Sequence, residues 1–315
     1  MVVPEAPPAP PPPAPVAVAT PDAGAPVAAA APTTDPAVHV RMFRGRSEDD
    51  WIAQLSTRPV LRMISRHSST ATVFRMDLGD GIEIGFKPSR PGQERWWRHE
   101  IVSYRLARIL GIEGRVPPVV GRHLDGRLFG NFLHVDAMRI ARDGLVPGSA
   151  SVWMPALHGE RLHEPRERRH WTAWLDPRQP WPTVPAENER ARQISELLVF
   201  DYLMANFDRW NCCNIPLDEN NQIVMRDNDA GWFPDVMNRV GSPDVVHRLP
   251  RHLYAALRTA TGEALRAEVA RDPRSGEGLL LEGAVPAYDR RREALLRHIE
   301  ALIRTHGEAN VLGWN

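Results

Sequence analysis

The segment TVFRMDLGDGIEIGFKP, residues 72–88, constrains the fold more than any other stretch of the chain. Thr72 to Leu78 is a short run with Val, Phe and Leu, LGDG at 78–81 is a hairpin signal, and Ile82 to Lys87 alternates with period two. Two antiparallel strands joined by a tight turn put every second side chain on one face, whereas a helix would scatter the same residues around its axis. The second strand ends on Lys87, the only lysine in the chain: every other residue in the Lys+Arg total of 39 is an arginine. An ammonium is a compact point charge that a planar guanidinium does not replace geometrically. A chain that otherwise uses arginine throughout therefore marks position 87.

Short apolar runs predict further strands at 58–65, 116–122, 128–136 and 151–154. Between them, Trp97, Ile101, Tyr104, Leu106 and Leu110 recur at helical spacing, which predicts a helix over 94–110 with Gly111 as its stop. The second half reads as helices at 186–205, 250–270 and 288–305, with a short strand at 222–225. The fold class is α+β, with a β-rich part at 39–150 and a helical part at 151–315.

Residues 1–38 stand apart. They hold about twelve of the 30 prolines, few charges and no apolar side chain larger than valine beyond the first methionine. Such a composition cannot bury enough surface to offset backbone entropy, so a disordered, polyproline-like Pro/Ala tether is expected. Its start lacks the basic region and apolar run of a signal peptide, and no later stretch is long and apolar enough to span a bilayer. Membrane contact is expected only through an N-terminal anchor of the kind such a tether would serve. Acidic and basic residues balance at 39 each, leaving no global field to hold nucleic acid. Cys212 and Cys213 are neighbours and cannot staple distant segments, so they read as small packing residues.

The chemistry concentrates in two places. Lys87 is followed thirteen positions later, on the predicted helix, by Glu100. A strand lysine oriented by a carboxylate on the next helix is how kinases hold the α- and β-phosphates of ATP; the plain alternative is a surface lysine. The second place is LLVFDYLMANFDRWNCCNIPLDENNQIVMRDNDAGW, residues 197–232. Phosphoryl transfer needs one carboxylate for the proton of the attacking hydroxyl and further oxygen ligands to hold Mg²⁺ or Mn²⁺. Asp208 and Asp227, joined by a loop and a short strand, can face one cleft. A solvated Asn/Asp turn accounts for either motif alone, though poorly for both in this order with Lys87 and Glu100.

FKP, EIVSYRLARILGI followed by VPPVV, FDYLMANFDR and DNDAGW, in this order, resemble the four-jointed kinases, which are grouped with the secretory-pathway casein and proteoglycan-xylose kinases. YDRRREALLRHIEAL is similar to their last helix, so the likeness spans roughly 82–305. More distantly the pattern is similar to HipA-type and phosphatidylinositol kinases. The resemblance implies a two-lobed protein-kinase-like fold, with Lys87 binding phosphate, Glu100 as its partner, Asp208 as catalytic base and Asp227 as metal ligand. It also implies Asn214 as a second metal residue. Relatives place this Asn five residues after the aspartate and here it is six, so Asn211 is the substitute. Arg209 reads either as an ion-pair support of the catalytic loop or as an ordinary exposed arginine, and Asp229 as the cap of the following turn or a metal assistant.

The phosphate-covering turn is HSSTA at 67–71, where Ser68, Ser69 and Thr70 supply hydroxyls in place of glycine amides; a bare surface turn is equally compatible. Val152–Pro155, with Met154, is the candidate lobe linker beside the adenine. His158, Glu160, His163 and Glu164 do not have the HExxH spacing of a metal site, and Trp171, Trp174 and Trp181 read as packing. The expected function is transfer of the γ-phosphate of ATP, with Mg²⁺ or Mn²⁺, to a Ser/Thr hydroxyl of a protein by a monomer. The resemblance is compatible with an extracytoplasmic or membrane-tethered setting. The alternatives are a sugar-hydroxyl kinase of the xylose-kinase type, a lipid-headgroup kinase, and a pseudokinase scaffold or an adaptor presenting polyproline to a partner.

Overall fold

The computed structural model describes residues 41–68, 71–159, 161–210, 214–239 and 243–314. The expectations for the tether and for Ser69, Thr70, Glu160, Asn211, Cys212 and Cys213 fall outside them.

The predicted hairpin forms the centre of a five-stranded antiparallel sheet. Its strands are β1 (Arg62–Ser68), β2 (Thr72–Gly79), β3 (Ile82–Pro88), β4 (Val119–Asp125) and β5 (Leu145–Val152), in the order β1-β2-β3-β5-β4. Asp80 and Gly81 carry φ of +52° and +73°, the two left-handed residues that a hairpin twisting with its strands requires. Phe74 pairs with Phe86 and Met76 with Ile84, all four buried. They share a core with Trp51 and Leu55 of helix α1 (Glu48–Thr57) and with Phe129. Gly148 faces Pro88 across the β3–β5 pairing. A Cβ there would lie 2.5 Å from the Lys87 carbonyl oxygen, so only glycine lets β5 run beside the lysine.

The helical part is built from α2 (Trp96–Leu110), α3 (Pro165–Leu175), α4 (Pro185–Met204), α5 (Arg251–Thr259), α6 (Gly262–Val269) and α7 (Ala284–His306). Gly111 ends α2 at φ +72°, as its position predicts. From Ala191 onward nearly every residue of α4 is buried, as expected of a helix at the middle of a second core. That core takes in Trp97, Ile101, Tyr104, Leu106 and Leu110, so the apolar side of α2 belongs to the helices although the chain reaches it from the sheet.

Several expectations are corrected. Residues 128–136 form no strand: a 3-10 turn at Gly126–Phe129 and a one-turn helix at Phe132–Val135 stand there. The Asp125 side chain accepts from the Arg127 amide at 2.8 Å and starts that turn. The helix expected at 250–270 is two, because the Thr261 hydroxyl accepts from the Ala264 amide at 3.2 Å and opens a new helix. The strand at 222–225 reduces to one bridge, Ile223 to Leu217. The strand expected at 58–65 begins only at Arg62, since Arg58 still closes α1. That expected at 116–122 begins after Pro117 and Pro118, which have no N–H to give a ladder, and that expected at 151–154 runs from 145 to 152. Among the described residues no helix is long and apolar enough to cross a membrane.

Candidate active site

Lys87 leaves the end of β3 pointing into a cleft of about 780 Å³ between the sheet and the helices. Its ammonium lies 2.6 Å from Glu100 Oε1, 2.8 Å from Asp229 Oδ2 and 3.5 Å from Asp227 Oδ1. Lys87, Glu100 and Asp229 are buried, whereas the Asp227 side chain keeps 41% of its surface exposed toward the cleft. Burial disfavours the ammonium, but the carboxylates of Asp229, Glu100 and Asp227 overcome it and hold the Lys87 pKa well above the ordinary lysine value. Glu100 shows the opposite balance: burial pushes its carboxyl up against the pull of Lys87. Asp227 resists burial and stays below the usual carboxylate range because Lys87, Arg226 and Arg209 surround it.

The loop 227–229 is fixed from α2. The Asn228 amide donates to Glu100 Oε2 at 3.1 Å, and His99 Nδ1 stands 2.9 Å from the Asp229 carbonyl oxygen. Ser103 donates to the Asn228 carbonyl at 3.4 Å and accepts from the Trp232 indole at 2.9 Å. Burial depresses the His99 pKa to about 4, so near neutral pH the imidazole is uncharged and its Nδ1 hydrogen is available to that carbonyl. Asp227 sits at φ +52°, a left-handed conformation that costs a non-glycine residue energy and that this surrounding framework imposes.

Arg209 joins the two halves of the site. Its guanidinium is fully buried, bonds both carboxylate oxygens of Asp201 at 3.1 Å, and donates to the carbonyls of Asn214 at 3.1 Å and Arg226 at 2.5 Å. It also donates to the Asn228 side-chain oxygen. The ion-pair reading of Arg209 is the one the geometry supports, and the exposed-arginine alternative is excluded. Asp201, wholly inside α4, has its carboxyl raised to about 6 by burial against the attraction of Arg209. Asp208 is half-buried, its amide held by Asn206 Oδ1 at 3.0 Å. Asn214 Nδ2 donates to both the Asp208 carbonyl and Oδ2 at 2.8 Å. The six-residue step therefore still delivers the Asn214 amide to Asp208.

Lys87, Glu100, Ser68, Met154, Asp208, Asn214 and Asp227 all line the one cleft. Around Met154 it is walled by Val73, Val119, Val152 and Leu157, an apolar setting suited to a flat base. The amides of Val152 and Trp153 are spent on the carbonyls of Pro118 at 3.1 Å and Glu83 at 3.0 Å. Asp229 is a correction: its carboxylate sits on Lys87 rather than capping a turn. Three residues that the sequence did not single out also support the site: His99, Ser103 and Asp201. Asp201 alone left a signal, a carboxylate in the apolar run LLVFDYLM. The tryptophans pack as expected, with Trp171 stacked on Trp210 at 5.5 Å.

Among the described residues no group of three His, Cys, Asp or Glu side chains forms a metal cage. The donors that line the cleft, the Asp227 and Asp208 carboxylates and the Asn214 side-chain carbonyl oxygen, are hard oxygens. They suit Mg²⁺ or Mn²⁺, which take one or two protein carboxylates and complete their shell with phosphate and water.

Residues 90–230 match the family model described as the four-jointed box protein middle domain. No curated protein matches the sequence. The fold is similar to the crystal structure of the Golgi casein kinase, with a TM-score of 0.60 and 17% identity over 84% of this chain and 78% of that one. The same kinase with Mn/ADP bound gives 0.60 and 18% over the same shares. Hydra Fam20 with sugar gives 0.59 and 16%, over 83% of this chain and 90% of that one. The architecture is thus the two-lobed, α+β kinase-like fold, and residues 90–230 are similar to the four-jointed box middle domain.

Proposed function

We propose that the chain is an ATP-dependent phosphotransferase acting on an alcohol group, and that the acceptor is a Ser/Thr hydroxyl of a protein. The observation that carries this reading is that the single lysine, held at 2.6 and 2.8 Å by two buried carboxylates, opens on the same cleft as Asp208 and Asp227. Lys87 binds the α- and β-phosphates as a point charge, and Glu100 keeps the ammonium aimed. Asp227 and Asn214 would hold Mg²⁺ or Mn²⁺, which neutralises charge developing on the transferred phosphoryl group. Asp208 accepts the proton of the acceptor hydroxyl as its oxygen bonds to the terminal phosphorus and the bond to the ADP oxygen breaks. Ser68 donates to the phosphates from the covering turn. A sugar hydroxyl is the second reading, supported by the likeness to a Fam20 whose structure is described as holding sugar.

The test is the thermal unfolding midpoint of the purified chain with ATP plus Mn²⁺ or Mg²⁺, beside Lys87→Ala and Asp227→Ala. Phosphate transfer from γ-labelled ATP to protein and glycan acceptors follows, with Asp208→Asn as control. Ligand bound only to the folded state stabilises by about 2.7 kcal/mol at a hundredfold excess over its dissociation constant. A metal-dependent rise lost in both variants supports the reading. No rise in a folded protein overturns it and leaves a nucleotide-free scaffold.

A further inference from the structure

In many kinases the helix bearing the glutamate partner of the phosphate-binding lysine is a switch, because displacing it breaks the ion pair. In this chain that helix is held by three sets of contacts. One side presents His99, Glu100 and Ser103 to the loop 227–232, where each contacts a backbone group of Asn228 or Asp229. A second side, with Trp97, Ile101, Tyr104 and Leu110, is part of the helical core and not of the sheet core. Two buried arginines, over the Tyr104 ring, make a third set of contacts. Arg105 lies 3.5 Å from Glu268 and 3.3 Å from Asp272, and Arg108 lies 2.9 Å from Glu268 and 3.4 Å from Glu48. Glu268 belongs to α6, Asp272 follows it and also accepts from the Gly121 amide of β4 at 3.2 Å, and Glu48 opens α1. Guanidinium groups buried against fixed carboxylates leave α2 no second seat: moving it would strand charges on both partners inside the protein.

We infer that α2 has a single seat, fixed at once to α6, to α1 and, through Asp272, to β4, and that Arg105 and Arg108 are positioning residues that hold Glu100 against Lys87. The Lys87–Glu100 pair is then made in the free protein and is not broken by a swing of α2. This rests on the proposed roles of Lys87 and Glu100 but not on phosphate transfer itself. Because Lys87 is the only lysine, the full chain labelled with [¹³Cε]lysine gives one side-chain signal that reports its surroundings directly.

The experiment compares wild type, Glu100→Gln as the reference for a broken pair, and Glu268→Gln and Asp272→Asn, which remove the arginines' partners without touching the cleft. If Arg105 and Arg108 position Glu100, the Lys87 signal in the last two variants moves toward that of Glu100→Gln. Amide exchange over 96–110 also rises by about tenfold or more while that of α4 stays slow. A lowered unfolding midpoint with the Lys87 signal and the exchange of 96–110 unchanged overturns the inference, since a purely structural network would do that. Should a variant not fold, Arg108→Lys, which keeps the charge but cannot span Glu268 and Glu48, is read by the same signal: a move toward the Glu100→Gln position supports the inference, and an unmoved signal overturns it. Neither readout uses ATP, so the inference can fail while the kinase reading stands, and the reverse.

Discussion

Asp229 Oδ2 stands 2.8 Å from Lys87 Nζ, almost as close as Glu100 Oε1 at 2.6 Å, so the lysine is shared between a carboxylate on α2 and one on the loop after Asp227. Removing the ammonium leaves two buried carboxylates and the nearby Asp227 without their counter-charge. Lys87→Ala is expected to lower stability by about 3–5 kcal/mol, the range for breaking a buried pair from one side. Adding Glu100→Gln should restore part of that loss, because the two changes are coupled. Denaturant unfolding of the two single variants and the double variant measures the coupling, and strict additivity would contradict it.

Asp208 is half-buried and its backbone is held independently of its carboxylate by Asn206 and Asn214. Asp208→Asn is therefore expected to fold with a midpoint near wild type and to keep the metal-dependent ATP shift. Phosphate transfer should fall by about 10²–10⁴-fold, the usual worth of a positioned general base. Loss of nucleotide binding in this variant would move Asp208 from proton acceptor to ligand holder.

Asp227 occupies the left-handed region, which asparagine tolerates better than most residues. Asp227→Asn should keep the metal-free midpoint within about 1 kcal/mol of wild type while abolishing the part of the ATP stabilisation that depends on Mn²⁺ or Mg²⁺. A calorimetric titration with and without metal separates the two; an unchanged metal dependence would remove Asp227 from the metal site.

Two buried titratable groups, one at the start of α1 and one on α2, respond to pH in opposite senses. Burial raises the Glu48 carboxyl to about 7 despite the attraction of Arg108, so its stabilising term is full below its unfolded value and is lost as pH rises toward 7. His99 is depressed to about 4, so its term is full above its unfolded value and is lost as pH falls toward 4. The stability of wild type relative to Glu48→Gln should thus decline from pH 5 to pH 8, and that relative to His99→Gln should grow from pH 4 to pH 7. Unfolding midpoints across that range, read for each pair, check both signs.

What the sequence disclosed was governed by local rules. The hairpin followed from an apolar run, an Asp-Gly turn and the alternation at 82–87, and α2, α4 and α7 from spacing and stops. The site was legible as chain order, because Lys87, Glu100, Asp208 and Asp227 each sit in a local motif. Helix α1 was missed although Ser47, whose hydroxyl accepts from the Asp50 amide at 3.2 Å, heads a capping pattern that announces it. The strand expected at 128–136 failed because Leu128 and Phe129 are apolar for a different reason: Phe129 fills the space against Phe74 and Phe86 from a turn, with Gly130 at φ +51° ending the run. Asp229 and His99 could not be assigned from sequence, since their partners lie 142 and 130 residues away and only the packed fold brings them together.

The burial of Lys87 has a consequence for the life of the molecule. Acetyl, ubiquityl and other lysine-directed modifications need an accessible amine, and the one lysine of this sequence is buried and paired with three carboxylates. While the chain is folded that amine stays paired, and the moment it is free to react is the moment these pairs have come apart. Modification at position 87 would serve as a record of unfolding.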